Sequence, residues 1–390
     1  MKNVVKILAL ILCSCVCIVF AVKAVPWMVY NINAPKPAEP KAATTTDIMH
    51  RFDAFVGNAS AEALGGIVPA AAAAELVEEE EEKVYMLDRT QVVAPEPNPA
   101  FFKTTTDPAE VDLVISTCGE LLDGQEMDWD SSRELMPDSV IHYYMDETIL
   151  VINWKEVIHN AVYTFTEVKV MDASQFRRYM ADDTFGSSIQ YLPSEMAATV
   201  NAVAASSADF YKHRNFGVVV YKGEALRVHG RHSQNLYVDM NGDFHFTYAD
   251  EILTEEEAQQ YVDENNINFS LAFGPILIDN GENVTPPTYP LGEPTVVYAR
   301  AAICQLDTLH YLLVHVNEEQ HYRAHATVPQ LGETLYNRGG IKMAYTLDGG
   351  QTATCIMNDQ VINRVVYDNE RTMSDIIFFS TALPSEEEAG

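Results

Sequence analysis

Basic residues are scarce in this chain: 25 Lys and Arg stand against 56 Asp and Glu, for a formal net charge of −31. So acidic a surface repels nucleic acid, which is excluded as a partner. A phosphate-bearing ligand must then be drawn in by a local cationic cluster, because the global field opposes it. Cysteines are also few. Of six, Cys13, Cys15 and Cys17 fall in an N-terminal apolar run, leaving Cys118, Cys304 and Cys355 for a folded part. An odd number gives no disulfide framework. There is no Cys-x-x-Cys and no Cys/His zinc spacing, so neither metal nor cofactor is expected. His321 and His325 have helical spacing, but Pro329 and the loop-like surroundings argue against a zinc pair.

What is present begins with the amino terminus. Lys2 and Lys6 precede an apolar run from Ile7 to Val22, interrupted by Lys23 and resumed as Ala24 to Tyr30. The run is longer than most signal-peptide cores and lacks a clean small-x-small cleavage site. With Lys23 snorkelling it reaches across a bilayer, and the leading lysines put the amino terminus in the cytoplasm. Residues 1–30 are therefore expected to be a single-pass membrane anchor with the folded part extracytoplasmic. A cleaved signal peptide is the alternative. Residues 31–108 read as stalk and low-complexity linker, with Ala70 to Ala74, Glu78 to Glu82 and scattered prolines. Residues 109–145 read as an extension packing on the main domain, residues 146–382 as that domain, and 383–390 as an acidic tail.

From about Glu147 the composition becomes that of a folded domain with a 47% hydrophobic chain behind it. Thr148 to Trp154 and Ala161 to Val168 are β-branched and aromatic, hence strands. Asp172 is expected to cap a short helix through Met180, and Ser194 a second from Glu195 to about Ala204. Gly217 to Tyr221 turns at Lys222-Gly223, and Leu236 to Met240 turns at Asn241-Gly242, a strong hairpin signal. Thr254 and Glu257 form a capping box opening a helix to about Asn265. Leu271 to Ile278 turns at Asn280-Gly281, and Val284 to Pro294 is an exposed loop. Val296 to Gln305 and Leu309 to Val316 read as buried strands, and Pro329 starts a helix that Gly339 ends. Hairpins and helices are mixed without a βαβ repeat. The fold class is α+β, a largely antiparallel mixed sheet with packed helices.

The stretch with most chemistry is Ala344 to Thr354, where a short apolar strand ends on Asp348, followed by Gly349-Gly350 and a hydroxyl-rich strand. Glycines directly after a strand let backbone N–H groups approach an anion, because no Cβ intervenes. An aspartate there can serve as base, nucleophile or hydroxyl ligand. An ordinary tight turn capped by Asp348 is the structural alternative.

Asp348-Gly349-Gly350-Gln351-Thr352-Ala353-Thr354 resembles the Asp-Gly-Gly-Gly-Ser-Ser-Thr signature of the phosphodiester glycosidase family. An animal member of that family removes N-acetylglucosamine from a phosphodiester on lysosomal glycans. Other segments agree in order. Ser194 to Ala205 resembles the family's helix before its first motif, and Ala208-Asp209-Phe210-Tyr211 resembles Gly-Asp-Phe-Tyr. Phe273-Gly274-Pro275 with Asn280-Gly281 resembles a Phe-Gly-Pro hairpin, and Arg300 to Cys304 resembles Arg-Thr-Ala-Ile-Gly. Arg371 with Ser374-Asp375-Ile376-Ile377 resembles the closing strand. The likeness spans roughly residues 146–380. It departs from the pattern at Ser207-Ala208, Cys304, Gln351, Thr352 and Ala353.

The resemblance implies a hydrolase acting on sugar-1-phosphodiesters, here in cell-wall or capsular phospho-glycans. Cleavage at the anomeric carbon develops oxocarbenium character, which calls for carboxylates near C1 and a cationic or N–H-rich cradle for phosphate. Asp209 and Asp348 are the expected catalytic acids. Arg300, Gly349, Gly350, Thr352 and Lys212 are the expected substrate-binding residues. The family pattern also implies that Cys304 and Cys355 lie close together, as free thiols or as a pair. The altered glycine loop keeps a second class open, a non-catalytic glycan-binding or envelope-structural module on the same scaffold.

Overall fold

The computed structural model describes residues 85–383, all within one unit spanning Glu81–Gly390. The expected anchor, residues 31–84 of the stalk and linker, and residues 384–390 of the acidic tail lie outside the described residues. Among those described, no helix is long and apolar enough to cross a membrane.

In chain order the strands begin with β1 (Phe102–Thr105), β2 (Ile141–Met145), β3 (Ile149–Ile158), β4 (Ala161–Val170), β5 (Phe176–Met180) and β6 (Ala204–Ser207). Next come β7 (Gly217–Tyr221), β8 (Glu224–His229), β9 (Asn235–Asp239), β10 (Phe244–Thr247), β11 (Ile267–Leu271), β12 (Ile276–Asp279) and β13 (Glu282–Asn283). The last are β14 (Arg300–Asp307), β15 (His310–Asn317), β16 (Met343–Leu347), β17 (Cys355–Met357), β18 (Gln360–Val361) and β19 (Asp375–Phe379). The helices are α1 (Pro108–Thr117), α2 (Gly119–Leu122), α3 (Pro193–Thr199), α4 (Glu255–Glu264) and α5 (Val328–Arg338).

A nine-stranded sheet, ordered β1-β2-β3-β4-β15-β14-β16-β12-β13, is the backbone of the domain. Every pairing in it is antiparallel. Its central strands are buried on both faces, and the two-residue period of the pleat assigns their side chains alternately to two cores. Leu150, Trp154, Phe165, Cys304 and Leu312 enter the core that also holds Leu331 and Leu335 of α5. Val151, Val168, Ile303 and Leu313 enter a second core, closed by smaller sheets. One of these is five-stranded, ordered β18-β17-β6-β19-β5; another is β10-β9-β11. The α+β expectation holds. The hairpins at Lys222-Gly223 and Asn241-Gly242 form as read, and so does the Thr254–Glu257 capping box. Gly339 caps α5, which begins on the Thr327 side chain with Pro329 in its first turn.

Several expectations are corrected. Residues 85–108, read as linker, belong to the fold, since β1 pairs with β2 at the edge of the main sheet. Asp172 caps only one short turn, closed by a reciprocal Gln175 bond, and residues 176–180 then form β5. Pairing with β19 overrides the local helix signal there. The expected helix from Glu195 to Ala204 stops at Thr199. Ala204-Ala205-Ser206-Ser207 becomes β6, wedged between β17 and β19, where small side chains let the layers approach. His321 and His325 lie outside any helix.

Cys304 and Cys355 are free thiols on opposite faces of the main sheet. Cys304 points to the α5 side, whereas Cys355 Sγ lies 3.1 Å from Thr166 Oγ1 on the other. A family pattern that aligns strands does not fix which face each residue takes, and one residue of phase is enough to part them.

Candidate active site

Strand ends converge where the five-stranded sheet meets the main one. β6 and β19 are antiparallel neighbours with Ser207 opposite Ile376, so the exit of β6 and the entry of β19 share one end. The exit of β16 is stitched to the exit of β6: Asp348 N–H donates to Ala208 O at 3.1 Å, and Ser207 Oγ to Asp348 O at 3.4 Å. Asp209, Asp348 and Asp375 are thereby gathered, each buried.

Asp209 is held by donors on both oxygens. Its Oδ1 accepts Phe210 N–H at 2.7 Å, and its Oδ2 accepts Ala272 N–H at 2.8 Å from the chain just past β11. Arg178, in the middle of β5, places Nη2 3.4 Å from that Oδ2 and 2.6 Å from Asp375 Oδ2. Its Nη1 donates to Ser270 O. One buried guanidinium thus serves two carboxylates.

Asp348 is different. Its Oδ1 accepts Gly349 N–H at 2.9 Å, while Oδ2 is buried without a partner among the described residues. Burial raises its carboxyl to about 7, reinforced by the nearby Asp209 charge and opposed by Thr352, Gly349 and Arg371. Burial and the Asp209 charge raise Asp375 to about 7 as well, against the pull of Arg178. These are the shifts a buried carboxyl cluster short of cations should show.

The glycine loop is not a vacant N–H cradle. Gly350 N–H donates to Ala299 O at 2.8 Å, Gly349 N–H serves Asp348, and Thr352 Oγ1 donates to Gly349 O at 2.7 Å. A Cβ on Gly349 would stand 2.7 Å from Ala299 O, so glycine is required there for the loop to lie against β14.

Arg300 also leaves its expected role. Its Nε donates to Ala326 O at 3.0 Å, Nη1 to Gly292 O at 2.6 Å, and Nη2 to Glu293 O at 3.0 Å and Val296 O at 2.5 Å. Four of its five N–H donors brace backbone, so it clamps the 292–298 loop onto β14 and is corrected from phosphate ligand to structural brace. Lys212 sits at the rim, its Nζ 3.4 Å from Ile189 O. The structure thus brings Asp209 and Asp348 together and adds Arg178 and Asp375, which sequence reasoning passed over. Asp375 stood in a quoted motif, but nothing local marked it as acidic machinery. Arg178 was hidden by the helix expected across β5.

Residues 200–380 match the family model described as phosphodiester glycosidase. The motif resemblance is thus shown over that stretch. The phosphodiester glycosidase match brackets Asp209, Asp348, Arg371 and Asp375, while Arg178 precedes it. Among solved structures, the zebrafish N-acetylglucosamine-1-phosphodiester alpha-N-acetylglucosaminidase catalytic domain, auto-inhibited by pro-peptide, is similar at 15% identity and TM-score 0.46. That alignment covers 74% of this chain and 87% of the zebrafish one. A hypothetical protein from Synechocystis gives 14% identity and TM-score 0.44, over 64% of each chain. A putative exported protein from Burkholderia pseudomallei gives 11% identity and TM-score 0.39, over 56% of this chain and 74% of that one. No curated protein matches the chain. The phosphodiester glycosidase family is one of hydrolases, and a glycan phosphodiester is the substrate class its name carries.

Proposed function

We propose that this protein is a membrane-tethered, extracytoplasmic hydrolase that cleaves sugar-1-phosphodiester bonds in cell-wall or capsular phospho-glycans. The observation that carries the reading is Asp348, a buried carboxyl poised at about 7 with Oδ2 unpartnered beside Asp209. A proton acceptor works best with its pKa near the working pH. In this reading Asp348 Oδ2 takes a proton from the attacking water as the water oxygen bonds to C1. The C1–O bond to phosphate breaks, its electron pair leaves with the phosphate monoester, and free sugar is released. Phosphate is already a weakly basic leaving group, so proton donation to it is the lesser need. Asp209, fixed by Ala272 N–H and Arg178, sets negative charge beside the developing oxocarbenium ion. The apolar run before residue 31 supports the tether and the outward orientation.

A second reading, a glycan-binding module without catalysis, is favoured by the glycine loop, whose Gly349 and Gly350 N–H groups are both spent internally. Incubating the full chain with a panel of synthetic sugar-1-phosphodiesters and measuring free sugar decides between them. Release by wild type and not by Asp348→Asn supports hydrolysis. Glycan binding without release by either protein supports the module. Fractionation tests the tether, and an intact chain in the cytosol would end that part of the proposal.

A further inference from the structure

With Arg300 committed to backbone and the glycine N–H groups spent, the phosphate half of a substrate needs another partner. Surface residues next to Asp209 supply one. Phe210 directly follows Asp209 and is half-buried. Around its ring stand His213, stacked at 4.7 Å between centroids, Arg214 with Cζ at 5.6 Å, and Arg371 with Cζ at 5.7 Å. Arg214 and Arg371 come from segments far apart in sequence, one just after β6 and one just before β19. The convergence of those strands therefore brings them together.

Positive charge therefore gathers around this ring. Burial first, then the charges of Arg371 and Lys212, push His213 below its ordinary range. Neither Arg214 nor Arg371 forms an ion pair within 4.0 Å among the described residues, whereas Arg133, Arg178, Arg338 and Arg364 do. Like charges gathered around one ring and not ion-paired are unfavourable until an anion arrives. Arg371 also acts on Asp348, lowering its carboxyl, so the cluster lies within electrostatic reach of the proposed proton acceptor. The aromatic ring holds both guanidinium groups by cation–π contact and limits their freedom before a ligand binds. Guanidinium groups suit phosphate because each can offer two parallel N–H bonds.

We propose that Arg214 and Arg371, held around Phe210, form the phosphate subsite, binding the phosphate monoester or diester group beside Asp209 and Asp348. This deepens the hydrolase reading and rests on it for the orientation of the sugar toward the carboxylates. The subsite itself does not require turnover.

The test uses the full chain and inorganic phosphate as probe, titrated calorimetrically at low and moderate salt, with hydrolysis of a sugar-1-phosphodiester measured in parallel. Both arginines belong to the exposed rim, so the R214A/R371A variant should keep the wild-type melting temperature. Its phosphate affinity should fall at least tenfold and its KM for the diester rise by a similar factor. Asp348→Asn should keep phosphate binding while losing turnover. Phosphate binding that depends on the two arginines without any hydrolysis would sustain the subsite and sink the hydrolase reading. Hydrolysis with phosphate binding unchanged in R214A/R371A, or no phosphate binding by wild type, overturns the subsite. If the double variant melts early, the single charge-keeping changes R214K and R371K decide. Loss of bidentate binding weakens phosphate in them too, and unaltered affinity counts against the proposal.

Discussion

Arg178 Nη2 and Asp375 Oδ2 lie 2.6 Å apart with both side chains fully buried, and the same Nη2 reaches Asp209 at 3.4 Å. This contact fastens β5 to β19 through side chains as well as through the ladder that pairs Asp375 with Met180. It also fixes Asp209 from behind. Stability and site geometry therefore share one guanidinium.

Arg178→Met tests that sharing. Asp209 and Asp375 would be left buried without their cation, and breaking a buried pair in this way costs about 3–5 kcal/mol. Urea unfolding should show the loss as a lower midpoint. Adding Asp375→Leu to the same chain should recover part of it, because one stranded carboxylate is gone. Equal midpoints for wild type and Arg178→Met would mean the guanidinium holds nothing in place.

The raised carboxyls give a pH dependence with a definite sign. Asp348 and Asp375 are both at about 7 in the fold against 3.8 for the ordinary group. Between those values the folded chain holds more protons than the unfolded one, so stability falls as pH climbs through the window and levels off above about 7. Asp348→Asn should flatten that slope by the share of one group while abolishing turnover. In wild type, kcat should rise with pH through about 7, as the proton acceptor empties. A rate that falls across the same range would instead make Asp348 a proton donor. Denaturant titrations and initial rates from pH 4 to 9 supply both curves.

How much of this was readable beforehand follows from the kind of signal. The hairpin at Asn241-Gly242 and the cap at Thr254 and Glu257 are local, and they appear where expected. Asp209 and Asp348 were legible because each ends a strand inside a motif. Arg178 was not, since its role depends on a β5–β19 pairing that spans nearly 200 residues of sequence. Ala204, expected to end a helix, instead opens β6, because pairing with β17 and β19 outweighs local propensity. Arg300 was misread for a related reason. A cation on an apolar strand invites an anion, but carbonyls of an adjacent loop satisfied it first.

The two loop glycines should respond differently to alanine. In Gly349→Ala the new Cβ meets Ala299 O at 2.7 Å, a backbone atom at the edge of β14 that cannot step aside cheaply. The loop must shift, carrying Asp348 with it, at roughly 1–3 kcal/mol and with most of the activity. Gly350 has φ +67 and open space around a built Cβ, so its alanine meets only the left-handed backbone penalty, about 1–2 kcal/mol. Gly350→Ala should keep much of its turnover. Melting curves and initial rates of the two variants compare them directly, and equal losses of activity would mean that close approach to Ala299 is not what positions Asp348.

Arg300→Met separates bracing from binding. The substitution keeps an unbranched apolar stem and removes donors to the carbonyls of Gly292, Glu293, Val296 and Ala326. Those acceptors sit on the loop that precedes β14 and on the strand-like bridge from Tyr298 to Ala326, so their loss loosens both. Buried acceptors left without partners cost on the order of 2–4 kcal/mol here, with solvent relieving the outer ones. The melting temperature should drop accordingly, and proteolysis should find the 292–298 loop sooner. At a temperature where the variant is still folded, its KM for a sugar-1-phosphodiester and its affinity for inorganic phosphate should stay within about twofold of wild type, which corresponds to roughly 0.4 kcal/mol. A tenfold loss of phosphate affinity without a change in melting temperature would return Arg300 to the binding site and take the phosphate away from Arg214 and Arg371.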